Sequence, residues 1–418
     1  MTPPTSRALG TGAFLVAGAL ALTACGGSGF DEPAESAGSG LTSSDDSLTI
    51  LIGSSGDAET DAVTEAVAAW SEDSGVDAEV QVASDLPQQL SQGFAAGTPP
   101  DLFYLAPEAI AGYAGNGSLQ AYGDELTNRD DFYPSLVENF TVDDTFYCAP
   151  KDFSTLALAI NTDDWAAAGL TDADFPKTWD QLKTVARKLT TGGRTGLVFN
   201  DTRDRIGAFL VQAGGWSLDA DQKKATADTP QNLQALTYVR DLLASGAAKY
   251  PKQIGAGDSS EAFGQHKASM SVDGNWMVGG MRKDYPGVKY RVVALPAGPA
   301  GPGTLSFTQC WGIAAKTKFQ EQAKQLVDSF MQPQQQLAFA EAFGVIPSRQ
   351  SVRTQYEQRF PAQGAFVAGA EYAHGPVTLI KMDPVLTDFD AQLQQLPGAD
   401  PKQILQKLQQ NTTAALGQ

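Results

Sequence analysis

Apolar and polar positions alternate along this chain with two different periods, and the period changes from one segment to the next. Residues 48–52 and 102–105 are short apolar runs, and 76–82 alternates apolar with other residues, so all three are predicted strands. Between them, 57–70 and 87–96 place apolar residues three or four positions apart, which predicts amphipathic helices. This βαβαβ order predicts an α/β unit with a mainly parallel sheet.

A second unit with the same alternation begins near residue 178. One predicted helix of this unit starts at Trp179, and two others cover 206–213 and 230–245. Its predicted strands are 196–199, 268–272 and 290–295. The repeated mixture of strand and helix periods predicts a second α/β lobe. Two lobes also agree with the length, since 418 residues is long for one hydrophobic core.

Two stretches resemble each other and separate the lobes. Residues 146–161 and 306–315 both begin with polar and aromatic residues, hold one cysteine, and continue with alternating apolar residues. We interpret them as strands on which the chain crosses to the second lobe and returns. The predicted first lobe is 48–148 with 312–365, and the predicted second lobe is 149–311 with 366–418.

The N-terminus precedes these lobes and has the pattern of an export signal. An apolar run over 13–22 follows Arg7, and it is shorter than the ~20 residues of a membrane span. It ends in small residues before Cys25, which resembles the lipobox of bacterial lipoproteins. The resemblance implies that 1–24 is removed and Cys25 is lipidated, leaving 25–47 as a flexible tether. An ordinary cleaved signal with an incidental cysteine is the alternative.

Composition narrows the function classes. Hydrophobic residues make up 42% of the chain and charged residues 18%, which is typical of a globular protein. The formal net charge of −19 repels phosphate backbones and anionic lipid headgroups, so nucleic acid is not an expected partner. We therefore expect a globular exported body that is tethered to the membrane only by lipid.

Cysteine and histidine are scarce. Apart from Cys25 the chain has only Cys148 and Cys310, and an exported protein usually pairs such residues, so we predict a Cys148–Cys310 disulfide. Two separate buried thiols are the alternative. No Cys-x-x-Cys spacing exists and the only histidines are His266 and His374, so we expect neither a metal site nor a cofactor.

Several short motifs resemble one known family when they are taken in order. The motifs are Gly97–Leu102 (Gly-Thr-Pro-Pro-Asp-Leu), Asn161 through Gly169-Leu170, Pro176–Asp180 (Pro-Lys-Thr-Trp-Asp), Gly214-Gly215, Phe263–Met270, Gly274-Asn275-Trp276 and Gly344–Pro347 (Gly-Val-Ile-Pro). Together they resemble the carbohydrate-binding extracellular solute-binding proteins of ATP-binding-cassette (ABC) importers, the family that includes maltose-binding protein. The resemblance spans nearly all of the mature chain, and the two crossing cysteines depart from the family pattern.

The resemblance implies a two-lobe fold of the periplasmic-binding-protein (Venus flytrap) type, with crossing hinge strands and a ligand held in the cleft. It further implies a monomeric receptor on the outer face of the cell membrane that delivers a sugar to a permease driven by a cytoplasmic ATPase. A receptor of this kind carries no catalytic residues.

Candidate ligand residues follow the carboxyl ends of predicted strands or lie on the crossings, because ligands of open α/β sheets bind there. Aromatic faces cover the apolar face of a sugar ring, and carboxylates, amides and Arg bind its hydroxyls. The candidates are Ser54, Ser55, Asp57, Tyr104, Lys151, Asp152, Phe153, Asn200, Asp201, Trp216, Asn275, Trp276, Gln309, Trp311 and Arg349. Trp276 is singled out by its resemblance to the family's Gly-x-Trp motif. Trp179, by contrast, lies on a helix stripe and is predicted to be core.

Other interpretations of these residues stay open. Asp57 could cap its helix, Lys151 and Asp152 could pair with each other, and Trp216 could pack behind Gly214-Gly215. The same scaffold could bind a glycerophosphodiester, a peptide or a polyamine instead of a sugar. A secreted glycoside hydrolase would need two facing carboxylates ~5–10 Å apart, and no spacing in the sequence requires such a pair.

Overall fold

The computed structural model describes residues 47–417, so the predicted signal peptide, Cys25 and nearly the whole predicted tether lie outside the described residues. The strands are β1 (Leu48–Ile52), β2 (Ala78–Val82), β3 (Leu102–Leu105), β4 (Thr141–Val142), β5 (Thr145–Phe146), β6 (Pro150–Asn161), β7 (Thr195–Val198), β8 (Ala248–Lys249), β9 (Ala268–Gly274), β10 (Tyr290–Val293), β11 (Thr304–Ile313), β12 (Ile346–Pro347) and β13 (Ala373–His374). The α-helices are α1 (Asp57–Ser74), α2 (Leu86–Ala96), α3 (Pro107–Gly115), α4 (Pro134–Asn139), α5 (Thr162–Ala167), α6 (Trp179–Leu189), α7 (Arg203–Gln212), α8 (Pro230–Ala244), α9 (Ser259–Gly264), α10 (Met277–Asp284), α11 (Gln320–Phe330), α12 (Pro333–Phe343), α13 (Arg353–Arg359), α14 (Gly364–Gly369), α15 (Asp383–Leu393) and α16 (Pro401–Leu416).

One mixed sheet runs through the protein in the order β2-β1-β3-β11-β6-β9-β7-β8. Its two ends are parallel, as predicted: β1 pairs with β2 and β3, and β7 pairs with β8 and β9, all in parallel. Its middle is antiparallel, because β3, β11, β6 and β9 pair in alternating directions. The antiparallel strands therefore join two parallel halves.

The two predicted crossing stretches are the two long central strands, β6 and β11. The first part of β6 pairs with β11, and its last part pairs with β9 and β10. The end of β11 pairs with β3, and its start pairs with β13. Each strand thus belongs to both halves of the sheet, and residues on both of them lie between the two halves.

Each half of the sheet has its own hydrophobic core. One core packs α1 and α11 against β1 and β3, with Ile50, Phe103 and Phe330 completely buried. The other packs α6, α7 and α8 against β6, β7 and β9, and it includes Leu405 of α16. Trp179 lies in this second core, stacked on Tyr238, as its helix stripe predicts. A third, smaller core includes Phe153, Met277, Ile346 and Phe366 and lies beside the crossing strands.

The start of α7 differs from prediction because its first turn is polar. The apolar pattern predicts a helix over 206–213, whereas α7 starts at Arg203, after Thr202. Arg203 and Asp204 carry no apolar signal, so periodicity alone could not include them. This extra turn brings both charged side chains to the edge of the cavity described below.

The predicted disulfide is confirmed. Cys148 and Cys310 are bonded, with their Cα atoms 5.7 Å apart, and both side chains are buried. Cys148 lies just before β6, and Cys310 lies at the point where the pairing of β11 with β6 shifts register. The bond therefore links the two crossing strands to each other. Within residues 47–417, no helix combines the length and the apolar character needed to cross a membrane.

Candidate binding site

A cavity of about 430 Å³, here named the cleft cavity, lies beside the two crossing strands. Its walls come from both halves of the sheet: the start of α1, the loop after β3 and Val345 on one side, and the start of α7, Trp216 and Trp276 on the other. The crossing strands contribute Lys151, Asp152 and Ser154 from β6 and 305–309 from β11. This volume falls within the range of about 300–1,000 Å³ that is usual for a small-ligand site.

A buried cluster of charges lies at the wall formed by β6. The Lys151 ammonium contacts Asp152 Oδ2 at 2.5 Å and Glu59 Oε1 at 3.1 Å, and the hydroxyl of Tyr104 donates to the same Glu59 oxygen at 3.0 Å. The backbone N–H and the hydroxyl of Ser55 donate to the other oxygen of Glu59. Both carboxylates therefore have partners although each residue is more than nine-tenths buried.

The pKa values of this cluster follow from burial and the one cation. Burial by itself would raise the pKa of Glu59, but the Lys151 charge and the hydrogen bonds from Ser55 lower it below the ordinary value. Burial raises the pKa of Asp152, and the Glu59 charge adds to this against the opposing effect of Lys151. Burial would lower the pKa of Lys151, yet the Asp152 and Glu59 charges together raise it. The ammonium therefore stays charged at neutral pH, and it is neutralised inside the cluster.

Aromatic side chains also line the cleft cavity. Trp276 and Phe307 pack edge to face with ring centroids 5.1 Å apart, and Trp216 lies over the His374 ring at 4.2 Å. Trp276 and Trp216 are only partly buried against the core beneath them. Each indole therefore presents apolar surface to the cavity.

A buried carboxylate holds Trp276 in place. Asp273 Oδ1 accepts a hydrogen bond from the indole N–H of Trp276 at 3.1 Å. The same oxygen forms an ion pair with the Arg205 guanidinium at 2.8 Å. Its other oxygen accepts from the hydroxyls of Ser259 and Ser260. The Arg205 guanidinium also lies over the Trp276 ring, 4.8 Å from its centroid. Because Asp273 has almost no exposed surface, the indole is anchored from within the second core.

Charges at another part of the wall come from both halves of the sheet. Arg203 donates from its backbone N–H and its guanidinium to Asp390. Glu108, at the start of α3, shares the cavity wall with Arg203 and Asp204. Burial raises the pKa of Glu108, and the Asp204 charge raises it further.

Six of the candidates from the sequence line the cleft cavity: Ser55, Lys151, Asp152, Trp216, Trp276 and Gln309. Three further candidates lie next to the cavity without lining it: Tyr104 against the charge cluster, and Phe153 and Trp311 on the crossing strands. Tyr104 supports Lys151 from below, with the ammonium 4.5 Å from its ring centroid, and Trp311 is enclosed between Tyr104 and Phe330. Phe153 packs under Tyr133.

The remaining candidates lie outside the wall of the cleft cavity. The Ser54 hydroxyl donates a hydrogen bond to the Gly56 carbonyl and accepts one from the Thr60 hydroxyl. Asp57 is exposed and forms an ion pair with Lys283 at 3.0 Å.

Four loop candidates also lie outside the cavity wall, and three of them have hydrogen-bonding partners in the structure. Asn200 accepts from the backbone of Ser259, with Asp201 beside it after β7. Asn275 is buried and donates to the Gly344 carbonyl. Arg349 is buried and donates to the carbonyls of Thr127 and Asn128.

Sequence reasoning missed Glu59, Glu108, Arg203, Asp204, Phe307, Thr308 and His374, which all line the cleft cavity. Four of these lie in the first turn of a helix that follows a strand, next to the loop residues that the strand ends predict. The first helical turn after a strand is therefore the signal that identifies them. His374 comes from far along the chain, and no local signal marks it.

A cavity lined by aromatic faces and polar groups from two halves of a crossed sheet defines a ligand-binding protein. Comparison with known proteins agrees: the model of the family described as bacterial extracellular solute-binding protein matches residues 65–366. The chain belongs to this family. Within residues 47–417, no group of three or more His, Cys, Asp or Glu side chains is arranged to hold a metal ion.

Individual relatives extend the comparison. The chain is 22% identical over 363 residues to the diacetylchitobiose binding protein DasA of Streptomyces coelicolor, covering 83% of each protein. Among solved structures, it is similar to the ABC substrate-binding protein Lmo0181 from Listeria monocytogenes, in complex with cycloalternan, with a TM-score of 0.80, 19% identity and coverage of 88% of this chain and 98% of the other. The GacH receptor of Streptomyces glaucescens, solved unliganded and with acarbose, gives a TM-score of 0.80 at 21% identity, covering 89% of this chain and 99% of the other. The predicted two-lobe α/β fold class is confirmed.

Proposed function

We propose that this protein binds a sugar or oligosaccharide in the cleft cavity and delivers it to the permease of an ABC importer. The observation that carries the proposal is the pairing of indole faces with hydroxyl-binding groups across one cavity. Trp216 and Trp276 offer flat apolar surface, while Asp152, Gln309 and Glu108 offer acceptors and donors for ring hydroxyls. The similarity to a diacetylchitobiose binding protein and to structures solved with cycloalternan and with acarbose supports the same ligand class.

The charges of the cavity argue against an anionic ligand. Its two cations already have carboxylate partners, Lys151 in the buried cluster and Arg203 on Asp390. A phosphodiester would have to displace one of these partners or approach Glu108 and Asp204 without compensation. A neutral polyol meets no such cost.

We further propose that the lobes predicted from the sequence, 48–148 with 312–365 and 149–311 with 366–418, close on the ligand about β6 and β11. The separate cores of the two sheet halves support this assignment. Only a closed form lets one ligand contact both walls, so ligand binding would shift the population toward closure. The monomer would then present the closed surface to the permease, without turnover of the sugar.

The protein is expected to gain thermal stability from sugars and not from phosphodiesters. A ligand that binds only the folded state raises the melting temperature as its concentration exceeds the dissociation constant. A thermal-shift screen with mono- to pentasaccharides, polyols, glycerophosphodiesters, peptides and polyamines measures this, followed by chromatography for hydrolysis products. A shift by a non-sugar alone would overturn the proposed ligand class, and product formation would overturn binding without turnover.

The role of the indole is tested by variants in the same screen. Trp276→Ala is expected to weaken binding of the best sugar by about 2–4 kcal/mol, as for a large aromatic anchor. Trp276→Phe keeps a ring and should retain part of the affinity. Trp70→Ala on α1, outside the lining of the cleft cavity, is the matched control. Equal affinity of Trp276→Ala and the wild type would remove Trp276 from the site.

We also propose that the mature protein is anchored through lipid on Cys25, which lies outside the described residues. The lipobox-like sequence before Cys25 and the Gly- and Ser-rich segment after it support the anchor. Mass spectrometry of protein extracted from the membranes of its own host should find Cys25 as the N-terminal residue, carrying acyl chains. Cys25→Ala should release the protein from the membrane fraction. An unmodified mature N-terminus at any other residue would contradict the anchor.

A further inference from the structure

A second cavity, here named the side cavity, has a volume of about 570 Å³ and adjoins the cleft cavity. The two cavities share four lining residues: Ser306, His374, Gly375 and Pro376. The side cavity is otherwise lined by residues of α4 and Tyr133 before it, by Phe153 of β6, by 220–223, and by Ala370, Ala373, Thr378 and Leu379. A short piece of chain, His374–Gly375–Pro376, therefore forms a partition between two adjacent spaces.

The partition is thin, and its place is fixed at one end. His374 belongs to β13, which pairs with Thr304 and Leu305 of β11, next to Ser306. Gly375 has no side chain and faces both cavities, and a Cβ added there would lie 3.3 Å from Asn139 Oδ1. At this residue the two spaces are separated by the Gly375 backbone, with the Asn139 side chain next to it. A linear ligand could pass from one cavity to the other over Gly375.

The side cavity carries the same two kinds of surface as the cleft cavity. Tyr133 is a partly buried aromatic that packs edge to face on Phe153 with ring centroids 5.1 Å apart, and both line the cavity. Ser135, Asn139 and Thr378 add hydroxyl and amide groups to a lining that also includes the charged residues Glu138, Asp221 and Lys223. An aromatic ring beside neutral hydrogen-bonding groups suits a sugar ring.

The far wall is held by side-chain hydrogen bonds. Gln222 Oε1 accepts from the backbone N–H of Thr378 at 3.0 Å, and the Gln222 amide donates to the Thr378 hydroxyl at 3.3 Å. These bonds tie the loop that carries Gln222 to the segment that continues from the partition. The side cavity is thus bounded by chain segments that are fastened to each other.

We propose that the side cavity extends the binding site and takes the further rings of a linear oligosaccharide whose first rings occupy the cleft cavity. This inference rests on the proposed function and adds the length of the ligand to it. Each cavity has the volume of a site for one small ligand, about 300–1,000 Å³. A chain of repeated rings fills two adjacent spaces of similar chemistry, whereas a monosaccharide or disaccharide leaves the side cavity empty.

The test is a length series measured by isothermal titration calorimetry with the mature protein. The probes are glucose to maltopentaose and N-acetylglucosamine to its pentamer, so that linkage and ring type vary with length. In the series that binds, each ring that gains contacts in the side cavity is expected to tighten binding about tenfold. Most of the gain in affinity should appear as the saccharide grows from two to four rings.

Two variants test whether the length-dependent gain in affinity arises in the side cavity. Ser135→Trp places a large ring in the side cavity from an exposed position, and Asn139→Ala removes a polar group from its wall. Both are expected to lose the length-dependent gain while binding the shortest sugar as the wild type does. Ser84→Trp, exposed and outside the lining of both cavities, is the matched control and should keep the gain. Circular dichroism melting curves check that all variants are folded.

The outcomes separate this inference from the proposed function. If short sugars bind and longer ones bind no better, the side cavity is not a subsite and the proposed function stands. If the gain survives in Ser135→Trp and Asn139→Ala, the extra rings lie elsewhere and the inference is wrong. If no saccharide of any length binds, the proposed function fails and the inference falls with it.

Discussion

Replacing Lys151 by methionine is expected to lower the free energy of unfolding at pH 7 by about 3–5 kcal/mol, the range for breaking a buried ion pair. The ammonium is the only cation in direct ion-pair contact with Glu59 and Asp152 among the described residues. Methionine fills a similar volume without charge, so it leaves two carboxylates buried and uncompensated. Urea unfolding monitored by tryptophan fluorescence measures the loss.

The deficit of Lys151→Met should depend on pH in a defined direction. Without the ammonium, burial raises the pKa of both carboxyl groups in the folded protein above their values in the unfolded chain. The cost is therefore largest where these groups would be charged, and it shrinks as pH falls toward about 4, where the unfolded carboxyl groups also protonate. Unfolding curves at several pH values between neutral and about 4 measure this.

Lys283→Met is the matched control for this variant. Lys283 also pairs with a carboxylate, Asp57 at 3.0 Å, but both side chains are mostly exposed. Surface ion pairs contribute little, so its removal should change stability only slightly at any pH. Equal losses in the two variants, or a Lys151→Met deficit that grows as pH falls, would contradict the account of the buried cluster.

Removing the disulfide is expected to produce the second large effect. In Cys148→Ala/Cys310→Ala the free energy of unfolding should fall by about 2–5 kcal/mol, because the bond restricts the unfolded chain. The two cysteines are 162 residues apart in sequence, so the closed loop is long. Denaturant unfolding of the double variant, beside wild type with and without reductant, measures the cost. Reduced wild type keeps both sulfur atoms, so it separates the loss of the bond from the loss of packing.

Sugar affinity should change much less than stability in the same variant. The bond joins the two crossing strands to each other, near the axis about which the lobes are proposed to rotate. A link at that place restrains sliding of the strands more than rotation. Calorimetric titration of the double variant should therefore give a dissociation constant within about threefold of the wild type, a change below 1 kcal/mol. A larger loss of affinity, with the folded state intact, would show that the bond shapes the cleft cavity.

The residues of the site divide into those that a sequence pattern can place and those that it cannot. Gln309 and Trp311 are two residues apart on β11 and would share one face of a regular strand. Gln309 lines the cleft cavity, whereas Trp311 is buried between Tyr104 and Phe330. The pairing of β11 with β6 shifts between Gln309 and Cys310, and such an irregularity breaks the alternation.

Arg349 illustrates a second limit. A guanidinium after a short strand is a reasonable ligand group, and the sequence predicts Arg349 in that role. In the structure it is buried, donates to the Thr127 and Asn128 carbonyls, and lies over the Phe132 ring at 4.1 Å. Its partners are more than 200 residues away in the chain, so no local pattern could have named them.

The sequence by itself determined the two α/β lobes and the two crossing strands, and it favoured the pairing of Cys148 with Cys310 over two separate thiols. These follow from the period of apolar residues and from the count of cysteines, both of which are local or compositional properties. Only the tertiary structure decided which side chains reach the cleft cavity, how Lys151 neutralises Glu59 and Asp152, and that a side cavity lies behind Gly375. Those features depend on contacts between distant segments, whose geometry is set by packing and not by the pattern of any one segment.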